Sequence, residues 1–174
     1  MANVRKFKFS IGRALAALAV VVLAATAYMT FGRTETVPDA TFTLMSGQKL
    51  TTADLRGKVY LVHFWATSCA TCIKEMPQMI QTYDKFKGEN FDFVAVAMSY
   101  DPPLYVKNYT ETRHLPFRVV MDTDGRLARQ FHDVQLTPTT YLIDKKGKIL
   151  KRILGEADFP TLHRMIEEAL AGST

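Results

Sequence analysis

The only two cysteines of the chain, Cys69 and Cys72, stand three apart, directly behind the apolar run Val59-Tyr60-Leu61-Val62-His63-Phe64-Trp65. That run has the length and composition of a buried strand. Behind the cysteines, Ile73, Met76, Ile80 and Tyr83, with Met79, recur at helical spacing through residues 73–86. The Cys-x-x-Cys therefore falls where a strand gives way to a helix. A helix N-terminus offers unpaired N–H groups and a partial positive charge, and both stabilise a thiolate. The thiolate is the species that attacks disulfides. As a structural staple the pair does little, because so small a loop removes little unfolded-state entropy. Zinc would need further ligands at finger spacing, and His63, His114, His132 and His163 do not supply it.

Around this centre the chain alternates strands and helices. Ala40 to Met45 reads as a first strand, Ser46-Gly47 as a turn, and Thr51 to Leu55 as a capped helical turn. Residues 91–99 read as a second buried strand. Pro102-Pro103 then stops the strand and opens a helix to about His114. A strand over 116–121, a short helix over 125–131, a hairpin of 139–143 and 149–154, and a helix from Asp158 to Ala171 complete the pattern. It predicts an α/β fold, a mixed central sheet with helices on both faces.

Charge is distributed unevenly. The formal net charge is +5, yet residues 1–33 hold Arg5, Lys6, Lys8, Arg13 and Arg33 and no acid. The rest of the chain carries equal numbers of acidic and basic residues. Nucleic acid is therefore not an expected partner. Ala14 to Phe31 is uncharged and, as a helix, would span roughly 27 Å, close to a bilayer core. The basic flank keeps that end in the cytoplasm and places the remainder outside. Ala25-Thr26-Ala27 also has the pattern of a signal-peptide cleavage site. The apolar stretch outruns a usual signal core, which favours an anchor, and either reading exports the domain. The expected division is 1–33 anchor or signal segment, 34–38 linker, and 39–174 catalytic domain.

Several segments together resemble the thioredoxin superfamily and, within it, the TlpA/ResA-like membrane-anchored thioredoxins. They are Leu55 to Thr67, the Cys-x-x-Cys, Glu75 with Pro77, and Leu136 to Asp144. The resemblance covers about residues 37–172 and implies a thioredoxin-like fold in which residues 91–121 form a TlpA-type central insertion. It implies that Cys69 attacks and Cys72 resolves, that Glu75 is the acidic residue of the active site, and that Thr137 precedes a cis Pro138 facing the cysteines. Trp65, Thr137 and Pro138 are then expected to meet substrate. At His63, relatives carry aspartate or asparagine, so two readings stand: a proton relay, or a hydrogen-bonded core histidine. Ser68 and Thr71 also depart from the common pattern, and residues beside and between the cysteines tune the thiolate.

The expected function is an extracytoplasmic thiol–disulfide oxidoreductase that reduces protein disulfides, of the kind the resemblance connects with cytochrome c or copper-oxidase assembly. Its expected partners are disulfide-bearing proteins, a membrane electron donor of the thiol-transfer type, and the membrane through the N-terminal helix. A single-pass, inner-membrane monomer facing the periplasm is expected, with no metal and no cofactor beyond the redox-active Cys69–Cys72 disulfide. The alternative from another class is a Cu(I) metallochaperone using the same cysteines, since soft thiolates select Cu(I).

Overall fold

The apolar run at 59–65 becomes β3 (Val59–Trp65), buried along its whole length at the centre of a five-stranded sheet. The computed structural model describes residues 12–23, 26 and 35–172. The chain divides into two units, residues 1–35 and 36–174. In the first, residues 12–23 form a helix, α1. Among the described residues no helix is long and apolar enough to cross a membrane. Of the expected span 14–31, residues 24, 25 and 27–31 lie outside the described residues.

The second unit opens with a small hairpin, β1 (Thr41–Thr43) and β2 (Lys49–Thr51). The sequence pattern showed the first of these strands but not the second, whose Thr51 was read as the start of a capped turn. Thr51 and Asp54 then cap each other through side-chain bonds of 2.7–3.1 Å, which fixes the turn before β3. After β3 come α2 (Ala70–Phe86), β4 (Phe91–Ala97), α3 (Pro103–Thr112), β5 (Arg118–Met121), α4 (Arg126–Gln130), β6 (Thr139–Ile143), β7 (Ile149–Leu154) and α5 (Phe159–Ala171). The sheet order is β5-β4-β3-β6-β7, parallel across the first three strands and antiparallel across the last three.

Handedness explains where the helices sit. From β3 to β4 to β5 the chain steps in one direction, so right-handed crossovers place α2 and α3 on the same face. The core agrees. Val59, Leu61 and Trp65 pack with Met76 and Met79 of α2, Val106 of α3, and Leu162 and Ile166 of α5. Tyr60, Val62 and Phe64 point the other way, toward Leu127 and Ala128 of α4 and Phe42 of the hairpin. Phe131 anchors that second face. Its ring lies 5.5 Å from those of both Phe64 and Tyr141, and its carbonyl accepts the Tyr141 hydroxyl at 2.6 Å. Met79 is fully buried, and truncation to Ala is expected to cost about 2–5 kcal/mol.

The buried stripe of α2 is Cys72, Glu75, Met76, Met79, Thr82 and Phe86. It is rotated from the apolar pattern in the sequence. Ile73, Ile80 and Tyr83 are only partly buried, whereas Glu75 and Thr82 face inward. At the far end, α5 has Asp158 as its N-cap residue and is closed by Lys145, whose Nζ donates to the carbonyls of Leu170 and Gly172 at 2.6 and 2.9 Å. A lysine there complements the negative end of the helix.

Candidate active site

Cys69 is the N-cap of α2, with extended backbone (φ −88°, ψ 103°), and its sulfur accepts the Cys72 N–H at 3.2 Å. Cys69 and Cys72 are joined as a disulfide with Cα atoms 5.2 Å apart. Cys69 is half-buried and Cys72 fully buried. The N–H that touches the Cys69 sulfur is one of the free donors of the first helical turn. When the bridge is reduced, that donor and the helix dipole favour negative charge on the outer sulfur.

The other end of the site is set by strand pairing. Phe64 of β3 lies opposite Thr139 of β6, so the residues after β3 and before β6 meet at one end of the strands. There the Thr137–Pro138 peptide is cis, the isomer the resemblance implies. Pro138 is buried, and its carbonyl accepts the Gly155 N–H at 2.8 Å. Thr137 is half-buried, and among the described residues its backbone N–H and C=O have no hydrogen-bond partner. Such groups can pair with an extended segment of another chain.

The loop after β4 brackets these two segments. Asp101, 1 % exposed, accepts the Thr67 N–H and the Thr67 hydroxyl, each at 2.6 Å, and so ties down the turn that carries Cys69. Its neighbour Tyr100 is exposed and places its hydroxyl 3.2 Å from that of Thr137. Beside Thr67 a surface cleft of about 380 Å³ opens, lined by Tyr105, Asn108, Tyr109, Thr112 and Arg113. Neither Tyr100 nor Asp101 was singled out from the sequence. The available signal was their position, in a loop at the carboxyl end of a parallel strand, where α/β sheets place their sites.

Trp65 requires a correction. It was expected to meet substrate, but it is fully buried, with its ring 5.4 Å from that of Tyr109. As an odd-numbered residue of β3 it points under α2 and α3, not toward the rim. Tyr109 covers it, so the aromatic surface at this position belongs to α3.

Beneath the disulfide lie two fully buried titratable side chains. Glu75, one helical turn after Cys72, accepts the Ala157 N–H at its Oε2 at 3.2 Å. His63, on β3, has Nδ1 2.9 Å from the hydroxyl of Thr140, the residue directly opposite it on β6. The remaining atoms, His63 Nε2 and Glu75 Oε1, face each other at 3.8 Å. Burial drives the Glu75 carboxyl up to about 7, and the Ala157 N–H opposes that rise. Burial drives His63 down to about 3, so its ring is neutral at ordinary pH. Sequence reasoning had named both residues but not their partners. Ala157 and Thr140 carry no chemical signal of their own, and only the sheet register and the start of α5 bring them in.

A helix-capping cysteine disulfide bonded to a buried partner, a cis-proline loop at the same end of the sheet, and a sealed carboxyl underneath define a thioredoxin-like thiol–disulfide oxidoreductase. The sequence relationships make that class specific. Residues 33–166 match the Redoxin family. The chain is 34% identical over 119 residues to the thiol-disulfide oxidoreductase ResA of Bacillus thuringiensis subsp. konkukian, covering 68% of each chain. It is 33% identical over 129 residues to ResA of Bacillus subtilis, covering 74% of this chain and 71% of that one. A crystal structure of a thioredoxin-family thiol:disulfide interchange protein from Chlorobium tepidum superposes with a TM-score of 0.72 at 30% identity, covering 80% of this chain and 98% of that one. The solution structure of a thioredoxin candidate from Neisseria meningitidis gives 0.75 at 40% identity, covering 81% and 93%. The chain belongs to the Redoxin family, among its TlpA/ResA-like thiol–disulfide oxidoreductases, and its enzymatic class is thioredoxin-like protein-disulfide reductase.

Proposed function

We propose that this enzyme reduces disulfides of protein substrates outside the cytoplasm, held at the inner membrane by the apolar segment 14–31. The observation that carries the reaction is the asymmetry of the cysteines: a half-buried sulfur at a helix N-cap and a sealed partner one turn inward. In the reduced enzyme the Cys69 thiolate attacks one sulfur of the substrate disulfide. A mixed disulfide forms and the substrate's other sulfur leaves as a thiolate. Cys72 then gives its proton to the Glu75 carboxylate and, as a thiolate, attacks the Cys69 sulfur. The enzyme disulfide forms, the second substrate thiolate departs, and protons from water complete the substrate's two thiols. Two electrons pass from the enzyme dithiol to the substrate.

Thr137, with its unpaired backbone, and the neighbouring Pro138 supply the place where an extended substrate segment would pair. The open surface beside the sulfur suits a protein chain better than an enclosed small molecule. Export rests on the basic cluster ahead of the apolar segment. The resemblance to TlpA/ResA-like proteins supports substrates in cytochrome c or copper-oxidase assembly. It also supports recharging of Cys69–Cys72 by a membrane thiol-transfer donor, with no other cofactor.

The test is substrate trapping with the full-length chain. Cys72→Ser should accumulate a mixed disulfide on Cys69, and Cys69→Ser should neither trap nor exchange. Trapping by Cys69→Ser instead would reverse the two roles. A Cu(I) titration of the reduced protein beside an insulin-reduction assay tests the metallochaperone alternative. Tight Cu(I) binding without reduction of insulin would replace the proposal.

A further inference from the structure

Two buried polar atoms face each other beneath the cysteines without a partner: His63 Nε2 and Glu75 Oε1. Their own residues are otherwise anchored, His63 through Nδ1 to Thr140 and Glu75 through Oε2 to the Ala157 N–H. Unpaired buried polar atoms are costly, so such a pair calls for a reason. The gap of 3.8 Å exceeds a hydrogen bond, but about 1 Å of side-chain movement closes it.

We infer that Thr140, His63 and Glu75 form a tautomer relay in which the imidazole of His63 offers Glu75 a donor when it is ionised and an acceptor when it is protonated. The chemistry follows from what each group can do. A neutral imidazole has one N–H and one bare nitrogen, and a hydroxyl can donate or accept. With Glu75 ionised, Nε2–H donates to Oε1 while the Thr140 hydroxyl donates to Nδ1. With Glu75 protonated, its O–H donates to bare Nε2, and Nδ1–H donates to the Thr140 oxygen. When Cys72 yields its proton, one proton leaves sulfur and one is gained by Glu75. The imidazole's proton count is unchanged overall: Nε2 gives up its proton and Nδ1 takes one, both in exchange with water when the pocket transiently opens.

The surroundings allow little else. Phe93 closes on the His63 ring edge-to-face at 6.0 Å. Among the described residues, the other charged groups acting on Glu75 are Lys74 of α2 and Glu156 ahead of α5, and these pair with each other at 2.8 Å. Cys72 is the remaining titratable side chain on this stretch of α2. His63 is thus a positioning residue that acts through Glu75.

The inference rests on the reading of Glu75 as the proton acceptor for Cys72, so its test is made where no thiol titrates. In the oxidised full-length chain, in detergent, the isotope-labelled ring nitrogens of His63 are followed by NMR through the Glu75 titration near pH 7. The expected result is that the Nδ1 and Nε2 shifts move in opposite directions with the midpoint of the Glu75 carboxyl. In Glu75→Gln the exchange should vanish. If both nitrogens move together to imidazolium values, or neither moves while Glu75 titrates, the relay is wrong whatever Cys72 does. His63→Leu removes both hydrogen bonds, and the stronger one is that to the charged carboxylate. The variant should therefore raise the Glu75 midpoint by about one unit. His63→Gln, with an amide able to donate or accept near the place of Nε2, should recover most of that shift. An unmoved midpoint in a folded His63→Leu protein would also overturn the relay. A Glu75→Gln enzyme with an unchanged exchange pH profile would instead remove Glu75 from catalysis and leave the relay intact.

Discussion

Asp92, at the amino end of β4, and Glu75, beneath the cysteines at the other end of the same sheet, are carboxylates only 3 % and 0 % exposed. Asp92 is surrounded by donors. Lys58 Nζ lies 3.0 Å away, Arg118 bonds the other oxygen, and the Phe93 N–H adds a third contact at 2.9 Å. Asp122 and Asp101 are satisfied in the same manner, by the N–H groups of Leu127 and Ala128 and by Thr67. Glu75 has one N–H at 3.2 Å and no cation among the described residues within pairing distance. A buried carboxylate ringed by donors ties together the elements that supply them. A nearly unpaired one is held close to its neutral form, and that lets it take up and release a proton near neutral pH. The molecule thus gives its buried carboxylates very different numbers of donors, and the role proposed for Glu75 rests on that difference.

The largest test of this separation concerns His63. Its folded protonation is depressed from 6.5 to about 3, so the unfolded chain binds the extra proton first as pH falls. Its contribution is present above pH 6.5 and lost as pH falls to about 3, and amounts to about 5 kcal/mol. Denaturant midpoints of the wild type and His63→Gln should diverge by that order across this window, the variant being the less acid-sensitive. At the structural end, Asp92→Ala strands two half-exposed cations and should cost about 3 kcal/mol of unfolding free energy. Its exchange pH profile should match the wild type; a displaced profile would merge the two ends.

Glu75→Gln should act in the opposite sense to Asp92→Ala. The folded carboxyl is raised from 4.5 to about 7, so its stabilising contribution is complete below pH 4.5 and lost as pH rises through 7. In the oxidised protein the variant should match wild type near pH 4 and exceed it by up to about 3 kcal/mol above neutrality. Equal stability of the two proteins at pH 9 would mean that Glu75 is solvated. The smallest effect is expected for Asp122→Ala, which uncaps α4 at a cost of about 1–2 kcal/mol in chemical denaturation and leaves exchange unchanged.

The legibility of these two ends differed. Strands β3, β4 and β6 could be read because each is a largely apolar or β-branched run bounded by Gly, Pro or charge, and β7 as the partner of β6 across the turn at Gly147. Asp158 and the amphipathic run behind it announced α5. At the site, the placement of Cys69 at a helix start followed from the change of period between Trp65 and Ile73. Glu75 was harder. Periodicity weighs it as polar and turns α2 toward Ile73 and Ile80, whereas tertiary packing buries the face that carries Glu75 and Thr82. Thr82 is satisfied there by the Gln78 carbonyl and His163 Nε2, both at 2.8 Å. The pairing of His63 with Thr140 depends on the β3–β6 register across 77 residues of sequence, which no local pattern records. Trp65 was misplaced for the same reason: the parity of a strand residue decides its face, and that parity is fixed only when the sheet is assembled.

The central claim is that Glu75, and not merely any buried carboxylate of the sheet, governs proton loss from the cysteines. Thiolate absorbance of the reduced protein against pH tests it directly, with wild type, Glu75→Gln and Asp92→Asn measured side by side. Removing the charge one turn from Cys72 should ease the second ionisation, so the Glu75→Gln curve should shift to lower pH, while the Asp92→Asn curve overlays the wild type. Coincident curves for Glu75→Gln and wild type, or an equal shift in Asp92→Asn, would contradict the account.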